Sequence, residues 1–230
     1  MKNPEGAETL ESMNLAVWFN QWILNKFRKY LTGDILEVGF GTGNFTKFLN
    51  KYKTVWIIDI NDEYIRKTKK LVGKKVQVGF GDIEENRYFF ENRNFDSIVC
   101  LNVLEHVQND DLALQNLYKL LNNKGKLILL VPSHQFLYGE IDKSIGHFRR
   151  YSKLKFERKL EKMGFKIISA RRLNLLGAIG WYIAGKILKE KVVKEGKIKI
   201  FNLIAPLIVP IEDLFEPPIG TSILVIAEKP

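Results

Sequence analysis

The segment spanning residues 35–46 constrains the fold most, because three alternating glycines interrupt an otherwise apolar run. It reads ILEVGFGTGNFT, with the glycines at 39, 41 and 43. This order predicts a buried strand, a tight turn and the start of a helix. Glycine is needed where the backbone takes positive φ, or where a ligand lies against the chain with no Cβ between them. The free N–H groups at the helix start would then face that ligand.

The spacing of the glycines separates two classes of cofactor turn. A dinucleotide-binding turn requires G-x-G-x-x-G/A, whereas Asn44 occupies the last position here and the glycines follow Glu37. The segment instead resembles motif I of the class I S-adenosylmethionine (AdoMet) methyltransferases. That resemblance implies that Glu37 helps to hold the methionine ammonium group and that the glycine turn admits the sulfonium nucleoside.

Composition allows one domain with an added element, or two small domains. The chain has 230 residues, of which 46% are hydrophobic and 27% are charged, as in ordinary globular proteins. Its one cysteine excludes an intramolecular disulfide. The first residues contain no apolar signal core, so a cytoplasmic location is expected.

The positive charge is concentrated in the second half of the chain. The formal net charge is +10, and residues 143–199 contain 17 Lys or Arg against 4 Glu. Such a segment suggests contact with nucleic acid, an anionic membrane surface or a phosphorylated substrate. A lysine-rich face that is merely solvated explains the same composition.

Apolar runs alternate with helical patterns along the chain, which predicts a parallel, doubly wound sheet with right-handed crossovers. Residues 1–12 are expected to form a mobile polar lead. The expected helices cover residues 13–31, 45–52, 63–72, 112–121 and 153–164, and the expected strands cover residues 35–38, 55–59, 76–80, 96–101, 126–132 and 166–170.

Polar residues follow the predicted strands at the edge where an open parallel sheet binds ligands. Asp59 lies twenty residues past Gly39, where an acid can accept hydrogen bonds from ribose hydroxyls, if Asp62 caps the next helix. Asp82 is expected to accept from the adenine amino group, with Ile83 against the ring. The predicted cofactor residues are Glu37, Gly39, Gly41, Thr42, Gly43, Asp59, Ile60, Asp82, Ile83, Asn102 and Val103.

Four segments in order extend the resemblance to class I AdoMet methyltransferases over residues 30–172: EVGFGTGN, IDIN, GDIE and FDSIVCLNVLEH. The family resemblance implies a seven-stranded, mostly parallel sheet whose last strand, residues 222–228, is antiparallel. The segments FNQW, LYGEID, GHFRRYS and EPPIGTS further resemble bacterial and archaeal methyltransferases associated with glycosyl transfer. The expected organisation is a helical cap (1–33), a cofactor-binding core (34–172), a helical insertion (173–220) and the last strand (221–230).

The three histidines all follow the fourth or fifth predicted strand, on the side where the cofactor is expected. His147 is the first candidate for a general base, with His134 and Tyr138 as further catalytic candidates. His106 is expected to pack near the adenosine. The predicted acceptor-binding residues are Arg149, Arg150, Tyr151 and Trp181. Alternatively, this loop holds a structural ion-pair network with Asp142 or Glu140.

The insertion contains two apolar runs, each shorter than the ~20 residues that a membrane span needs. It is expected to cover the acceptor pocket, with a membrane-surface or dimer contact as alternatives.

No Cys/His group has metal-ligand spacing, so no metal is expected. We expect an AdoMet-dependent methyltransferase acting at oxygen or carbon of a small or lipid-linked acceptor. An RNA methyltransferase using residues 143–199 and a non-catalytic AdoMet-binding module are the alternatives; the oligomeric state is left open.

Overall fold

The computed structural model describes residues 4–49, 52, 54–73 and 75–230, and omits the side chains of residues 4–7 and 10. Its centre is one eight-stranded sheet in the order β4-β3-β2-β1-β5-β6-β8-β7. The strands are β1 Asp34–Val38, β2 Thr54–Asp59, β3 Val76–Asp82, β4 Arg87–Tyr88, β5 Phe95–Leu101, β6 Leu121–Pro132, β7 Lys166–Leu173 and β8 Ser222–Glu228.

The pairing of the long strands confirms the predicted doubly wound sheet. Strands β1, β2, β3, β5 and β6 are parallel neighbours, and β8 pairs antiparallel with both β6 and β7. The predicted strand count of seven is wrong by one. After a turn, the two residues of β4 pair back antiparallel onto Gly81 and Asp82 at the end of β3. So short a strand leaves no apolar alternation in the sequence.

Helices cover both faces of the sheet. They are α1 Pro4–Asn14, α2 Val17–Phe27, α3 Thr46–Leu49, α4 Asp62–Leu71, α5 Asp110–Leu120, α6 Glu140–Ile145, α7 Lys153–Lys162, α8 Leu175–Tyr182 and α9 Glu195–Ile208. One buried cluster joins α5 and α7 to one face of the strands. A second cluster joins α2, α4 and α9 to the opposite face. Alternate residues of each central strand enter the two clusters, as expected for strands buried on both sides.

The chain start differs from the expected polar lead. Residues 4–14 form α1, and a second helix begins at Val17, so the single helix expected over 13–31 is two helices. Residues 1–3 lie outside the described part of the chain. The α1 segment is only weakly hydrophobic, but it packs against α6 and α9. Tertiary contacts of this kind stabilise helices that have little propensity of their own.

The expected helical insertion precedes β8. Helix α8 continues as a π-helical turn, Ile183–Ile187, and α9 continues as a 3₁₀ turn, Val209–Asp213. The buried Glu212 carboxylate accepts from the backbone N–H groups of Asn174 (2.6 Å) and Leu175 (2.8 Å), which fixes the start of α8. Among the described residues, no helix combines the length and hydropathy that a membrane crossing requires.

Two element boundaries move from their predicted positions for local reasons. Asn61, not Asp62, caps α4, because its side-chain oxygen accepts from Glu63 N–H (2.9 Å) and Tyr64 N–H (3.4 Å). Strand β6 starts before the turn expected at residues 122–125, and its register to β5 shifts there. In the predicted helix 45–52, residues 50 and 51 lie outside the described part of the chain.

Candidate functional site

The glycine turn lies at the carboxyl ends of the adjacent strands β1 and β2. Gly39 N–H donates to Ile58 O at 2.8 Å, and Gly41 N–H donates to Asp59 Oδ2 at 2.9 Å. The turn is therefore fastened to the end of β2. Residues that the sequence separates by eighteen positions form one polar surface here, at the edge where parallel sheets bind ligands.

All three glycines of the turn adopt positive φ, with values of 67° at Gly39, 53° at Gly41 and 80° at Gly43. A Cβ atom at Gly39 would lie 2.4 Å from Val103 Cγ2, far closer than any real contact. The loop after β5 thus packs directly on the turn. Glycine is needed at residue 39 for both its conformation and its neighbour.

Glu37 is buried in β1, and the only hydrogen-bond partner of its carboxylate within the described residues is the Thr46 hydroxyl, which donates to Oε2 at 2.6 Å. Burial raises the pKa of Glu37 to about 7, although the Thr46 hydrogen bond opposes this. A cationic group placed here would offset the desolvation of the carboxylate. The site therefore fits the ammonium group that the family resemblance assigns to this glutamate.

Asp59 ends β2 and organises the backbone around it. Besides Gly41 N–H, it accepts Asn61 N–H at 2.8 Å. Burial raises the pKa of Asp59, while these backbone hydrogen bonds oppose the shift. Since Asn61 caps α4, Asp59 is not needed as a cap, and its remaining acceptor capacity is available to a sugar. The adjacent Ile60 side chain is exposed.

The other predicted cofactor residues differ in how much of each side chain is free to contact a ligand. Asp82 Oδ1 accepts from Glu84 N–H (2.8 Å) and Glu85 N–H (3.0 Å), which shapes the turn after β3. Ile83 is buried in the core, so its side chain offers little free surface to an adenine ring. Asn102 is exposed, with a φ of 54°. Sequence reasoning missed one contact: the Thr42 hydroxyl donates to Asn14 Oδ1 at 2.7 Å, which brings the end of α1 onto the glycine turn.

His147 lies in a buried polar network centred on Asp142, which is fully buried. His147 Nδ1 is 2.8 Å from Asp142 Oδ1, and Arg150 donates to the same carboxylate from Nε (2.8 Å) and Nη2 (3.2 Å). Trp181 Nε1–H donates to Asp142 Oδ2 at 3.0 Å. Burial alone would raise the pKa of Asp142, but the hydrogen bond from His147 and the Arg150 charge hold it at about 2.

Two further titratable residues from the loop after β5 meet His147. Glu105 Oε1 lies 3.7 Å from His147 Nε2, and the His106 and His147 rings stack edge to face with centroids 4.7 Å apart. Burial raises the pKa of Glu105 to about 7 and lowers that of His106 to about 4. No sequence pattern singles out Glu105, since it belongs to a mostly apolar segment forty-two positions before His147.

Several predicted catalytic and acceptor-binding residues make intramolecular contacts. The Tyr138 hydroxyl donates to His147 O at 2.7 Å. Arg149 Nη1 (2.8 Å) and the Tyr151 hydroxyl (3.0 Å) both contact the Asp110 carboxylate. Of the ion-pair network expected as the alternative, the contacts of His147 and Arg150 with Asp142 are present, whereas Arg149 and Tyr151 contact Asp110 instead. Their acceptor-binding role stays a prediction, which these contacts do not favour.

His134 stands apart from that network. It lines a cleft with Lys153 and Arg172 near the β7–β8 edge of the sheet. Its Nε2 is buried and has no hydrogen-bond partner within the described residues. Burial and the nearby Arg172 and Arg150 charges lower the pKa of His134. His134 and His147 share no hydrogen bond within the described residues, although His134 N–H donates to Tyr151 O at 2.8 Å beside the network.

Comparison with known proteins agrees with this architecture. Residues 21–170 match the family model described as a methyltransferase domain. A protein of Methanocaldococcus jannaschii is 29% identical over 176 residues, covering 76% of this chain and 73% of that protein. A methyltransferase of Bacillus mycoides is 32% identical over 99 residues, covering 42% of this chain and 45% of that protein.

Solved structures show the same fold. An S-adenosylmethionine-dependent methyltransferase of Mesorhizobium loti superimposes with a TM-score of 0.61, at 13% identity, over 91% of this chain and 97% of that one. The narrower resemblance to methyltransferases associated with glycosyl transfer stays a prediction. The chain belongs to the methyltransferase-domain family and has the Rossmann-like fold of the class I S-adenosylmethionine-dependent enzymes.

Proposed function

We propose that the chain binds AdoMet across the strand ends and transfers its methyl group to oxygen or carbon of a lipid-linked acceptor. The buried Glu37 carboxylate would hold the ammonium group, and Asp59 would accept from the ribose hydroxyls. Asp82 would accept from the adenine amino group. AdoMet supplies an activated methyl carbon, so the protein's task is alignment of the acceptor and exclusion of water.

The observation that carries the acceptor class is an exposed apolar stripe on the insertion. Along α9 and the turn after it, exposed aliphatic residues recur at steps of three and four, and Leu203 and Leu207 are 77% and 78% exposed. The stripe consists of Ile200, Leu203, Leu207, Ile211 and Leu214. The opposite face of α9 and of the turn after it is buried through Ile198, Ala205 and Val209. A helix that is apolar on both faces has a second surface to cover.

Charge beside the stripe favours an anionic lipid surface as its occupant. Residues 186–199 contain six lysines and two glutamates, and most of these lysines are exposed. Apolar side chains flanked by lysines are the pattern of helices that lie in the membrane interface. Ile187 and Leu188, which follow α8 in the chain, are also exposed.

Nucleic acid is less favoured as a partner because much of the basic segment is neutralised within the chain. Arg149 and Lys159 pair with Asp110, while Lys153 and Arg172 pair with Glu216. Arg150 is buried on Asp142. These cations are engaged already, which reduces the number that can neutralise phosphates.

The same insertion reaches the polar network of the candidate site. Trp181, in α8, donates to Asp142 and also lies under the Arg150 guanidinium, 5.0 Å from ring centroid to Cζ. The π-helical turn packs on α6, which carries Asp142. An acceptor held at the membrane surface by its lipid would thus be presented beside the loop that carries His147.

The first experiment identifies the acceptor class. The full chain is incubated with methyl-labelled AdoMet and, separately, with a lipid extract, with a water-soluble metabolite extract and with total RNA from the source organism. The proposal expects label in the organic phase of the lipid reaction. Label in RNA alone, or in water-soluble molecules alone, would overturn the lipid-linked acceptor, and the second outcome would leave a small-molecule methyltransferase.

The second experiment tests the surface. The chain should co-sediment with vesicles of phosphatidylglycerol and not with vesicles of phosphatidylcholine. Leu203→Glu and Leu207→Glu together should abolish this binding, whereas Leu71→Glu, at a position 84% exposed on α4, should not. If the wild-type chain binds neither vesicle type and is a dimer, and the double variant is a monomer, the stripe is a contact between two copies of the chain.

A further inference from the structure

The loop after β5 and the loop before α7 bring one carboxylate and two imidazoles to one point. Glu105, His106 and His147 each offer a ligand atom, and these three atoms all lie within 4.8 Å of one another. Two of the residues are adjacent in the chain, and the third comes forty-one positions later. The backbone fixes this approach, because Phe148 N–H donates to Glu105 O at 2.8 Å.

Glu105 is the member that most needs a partner. Its side chain is 1% exposed, and neither carboxylate oxygen has a hydrogen-bond partner within the described residues. The nearby Arg150 is occupied, since it is bidentate to Asp142. A buried carboxylate without donors is costly unless a cation or a proton compensates it. The carboxylate is 3.7 Å from His147 Nε2, so it points into the cluster.

His147 is oriented as a metal ligand would be. Its Nδ1 is 2.8 Å from Asp142 Oδ1, which favours a proton on Nδ1 and leaves the Nε2 lone pair facing Glu105. A carboxylate that fixes the tautomer of a ligating histidine in this way is a recurring support of metal sites. The 3.7 Å separation of His147 Nε2 from Glu105 Oε1 is close to the about 3.4 Å expected for two ligands of one tetrahedral ion.

From this geometry we propose that Glu105, His106 and His147 bind one divalent first-row transition metal ion. Two nitrogen ligands and one oxygen ligand select Zn²⁺ or a similar ion over Mg²⁺ or Ca²⁺, which prefer all-oxygen sites. Three protein ligands leave a coordination position open. It would lie on the His106 side, since His106 is the most exposed of the three residues.

The open position can take water or an acceptor oxygen. The cluster adjoins the cofactor-binding turn, because Val103, two residues before Glu105, packs against Gly39. Binding of an acceptor oxygen rests on the function proposed above, whereas metal binding itself does not. The two are separated by measuring binding in the absence of AdoMet and acceptor.

The test is direct metal binding to the full chain. After treatment with a chelator, the protein is titrated with Zn²⁺ in competition with a chromophoric chelator, and with Co²⁺ followed by its visible absorption. We expect one ion per chain, a rise in melting temperature on binding, and no binding of Mg²⁺ at comparable concentration. Glu105→Gln and His106→Gln should each weaken Zn²⁺ binding at least ~100-fold.

His134→Gln is the matched control, because it removes the one histidine outside the cluster and should leave Zn²⁺ affinity unchanged. Circular dichroism and AdoMet binding verify that each variant is folded. His106 is the least buried ligand, so its variant remains informative if Glu105→Gln does not fold. Absence of a stoichiometric ion in the wild-type chain, or equal affinity in wild type and His106→Gln, would overturn the site.

Discussion

The indole N–H of Trp181 donates to Asp142 Oδ2 at 3.0 Å, and this bond attaches the insertion to α6, directly before the loop that carries His147. Asp142 is fully buried and also receives Gly139 N–H at 3.0 Å and two bonds from Arg150. The insertion is therefore not an appendage on the edge of the sheet. It contributes a donor to a charged group beside the candidate site.

Trp181→Phe tests that attachment. The variant keeps most of the apolar area and loses a hydrogen bond to a charged acceptor, so the free energy of unfolding should fall by about 1.5 kcal/mol. Urea denaturation at neutral pH measures the change. Trp18→Phe is the control, since the Trp18 indole is partly buried and makes no hydrogen bond within the described residues. Equal losses in the two variants would show that the Asp142 bond contributes nothing.

Asp59→Ala should weaken AdoMet binding by roughly 1–3 kcal/mol, because it removes a charged acceptor from the proposed ribose site. Calorimetry with AdoMet and with S-adenosylhomocysteine measures both affinities. Asp59→Asn separates two effects, since the amide oxygen can still accept Gly41 N–H without the charge. Asp62→Ala, at the exposed first residue of α4, should change affinity by less than about 0.5 kcal/mol. Unchanged affinity in Asp59→Ala would refute the ribose assignment.

AdoMet affinity should depend on pH through Glu37. Its pKa is raised to about 7 in the unliganded protein, so the carboxylate that would pair with the ammonium group is largely protonated below that pH. Binding should be strongest at about pH 8 and should weaken by up to about tenfold per unit below pH 7. Calorimetry between about pH 5.5 and about pH 8.5 measures how AdoMet affinity depends on pH. A flat profile would place the ammonium group elsewhere.

The same shift predicts a stability change of opposite direction. The folded state binds the Glu37 proton more tightly than the unfolded state, where the pKa is near 4.5. Stability is therefore lost as pH rises from about 4.5 to about 7 and stays lower above that range. Glu37→Gln, which cannot ionise, should melt higher than the wild type at pH 8 without ligand while binding AdoMet more weakly.

Gly39→Ala should destabilise the glycine turn for two separable reasons. The added Cβ would lie 2.4 Å from Val103 Cγ2, and the residue would keep a φ near 67°. We expect a loss of about 2–4 kcal/mol, from overpacking and from the left-handed conformation together. The double variant Gly39→Ala with Val103→Ala should recover the overpacking part only. Gly73→Ala, where a Cβ meets nothing within 4 Å, is the control in urea denaturation.

The sequence by itself determined the sheet and the cofactor edge, because both depend on local patterns. The alternation of apolar runs with helical spacing predicts parallel strands, and the carboxyl ends of such strands meet at one edge. The sequence therefore predicts that the turn with glycines at 39, 41 and 43 meets the acid at residue 59, and the hydrogen bond from Gly41 to Asp59 confirms it. The two-residue strand β4 escaped prediction because its pairing depends on a turn and leaves no periodic signal.

The partner of each charged side chain was decided only by the tertiary structure. The sequence predicts that Arg149 and Tyr151 bind the acceptor, but in the structure both side chains contact Asp110 on α5. Glu105 and His147 are forty-two positions apart, and no spacing rule joins them, so the absence of metal-ligand spacing did not exclude a metal site. Backbone periodicity fixes which elements form, whereas the meeting of two distant loops depends on how the finished sheet positions their ends.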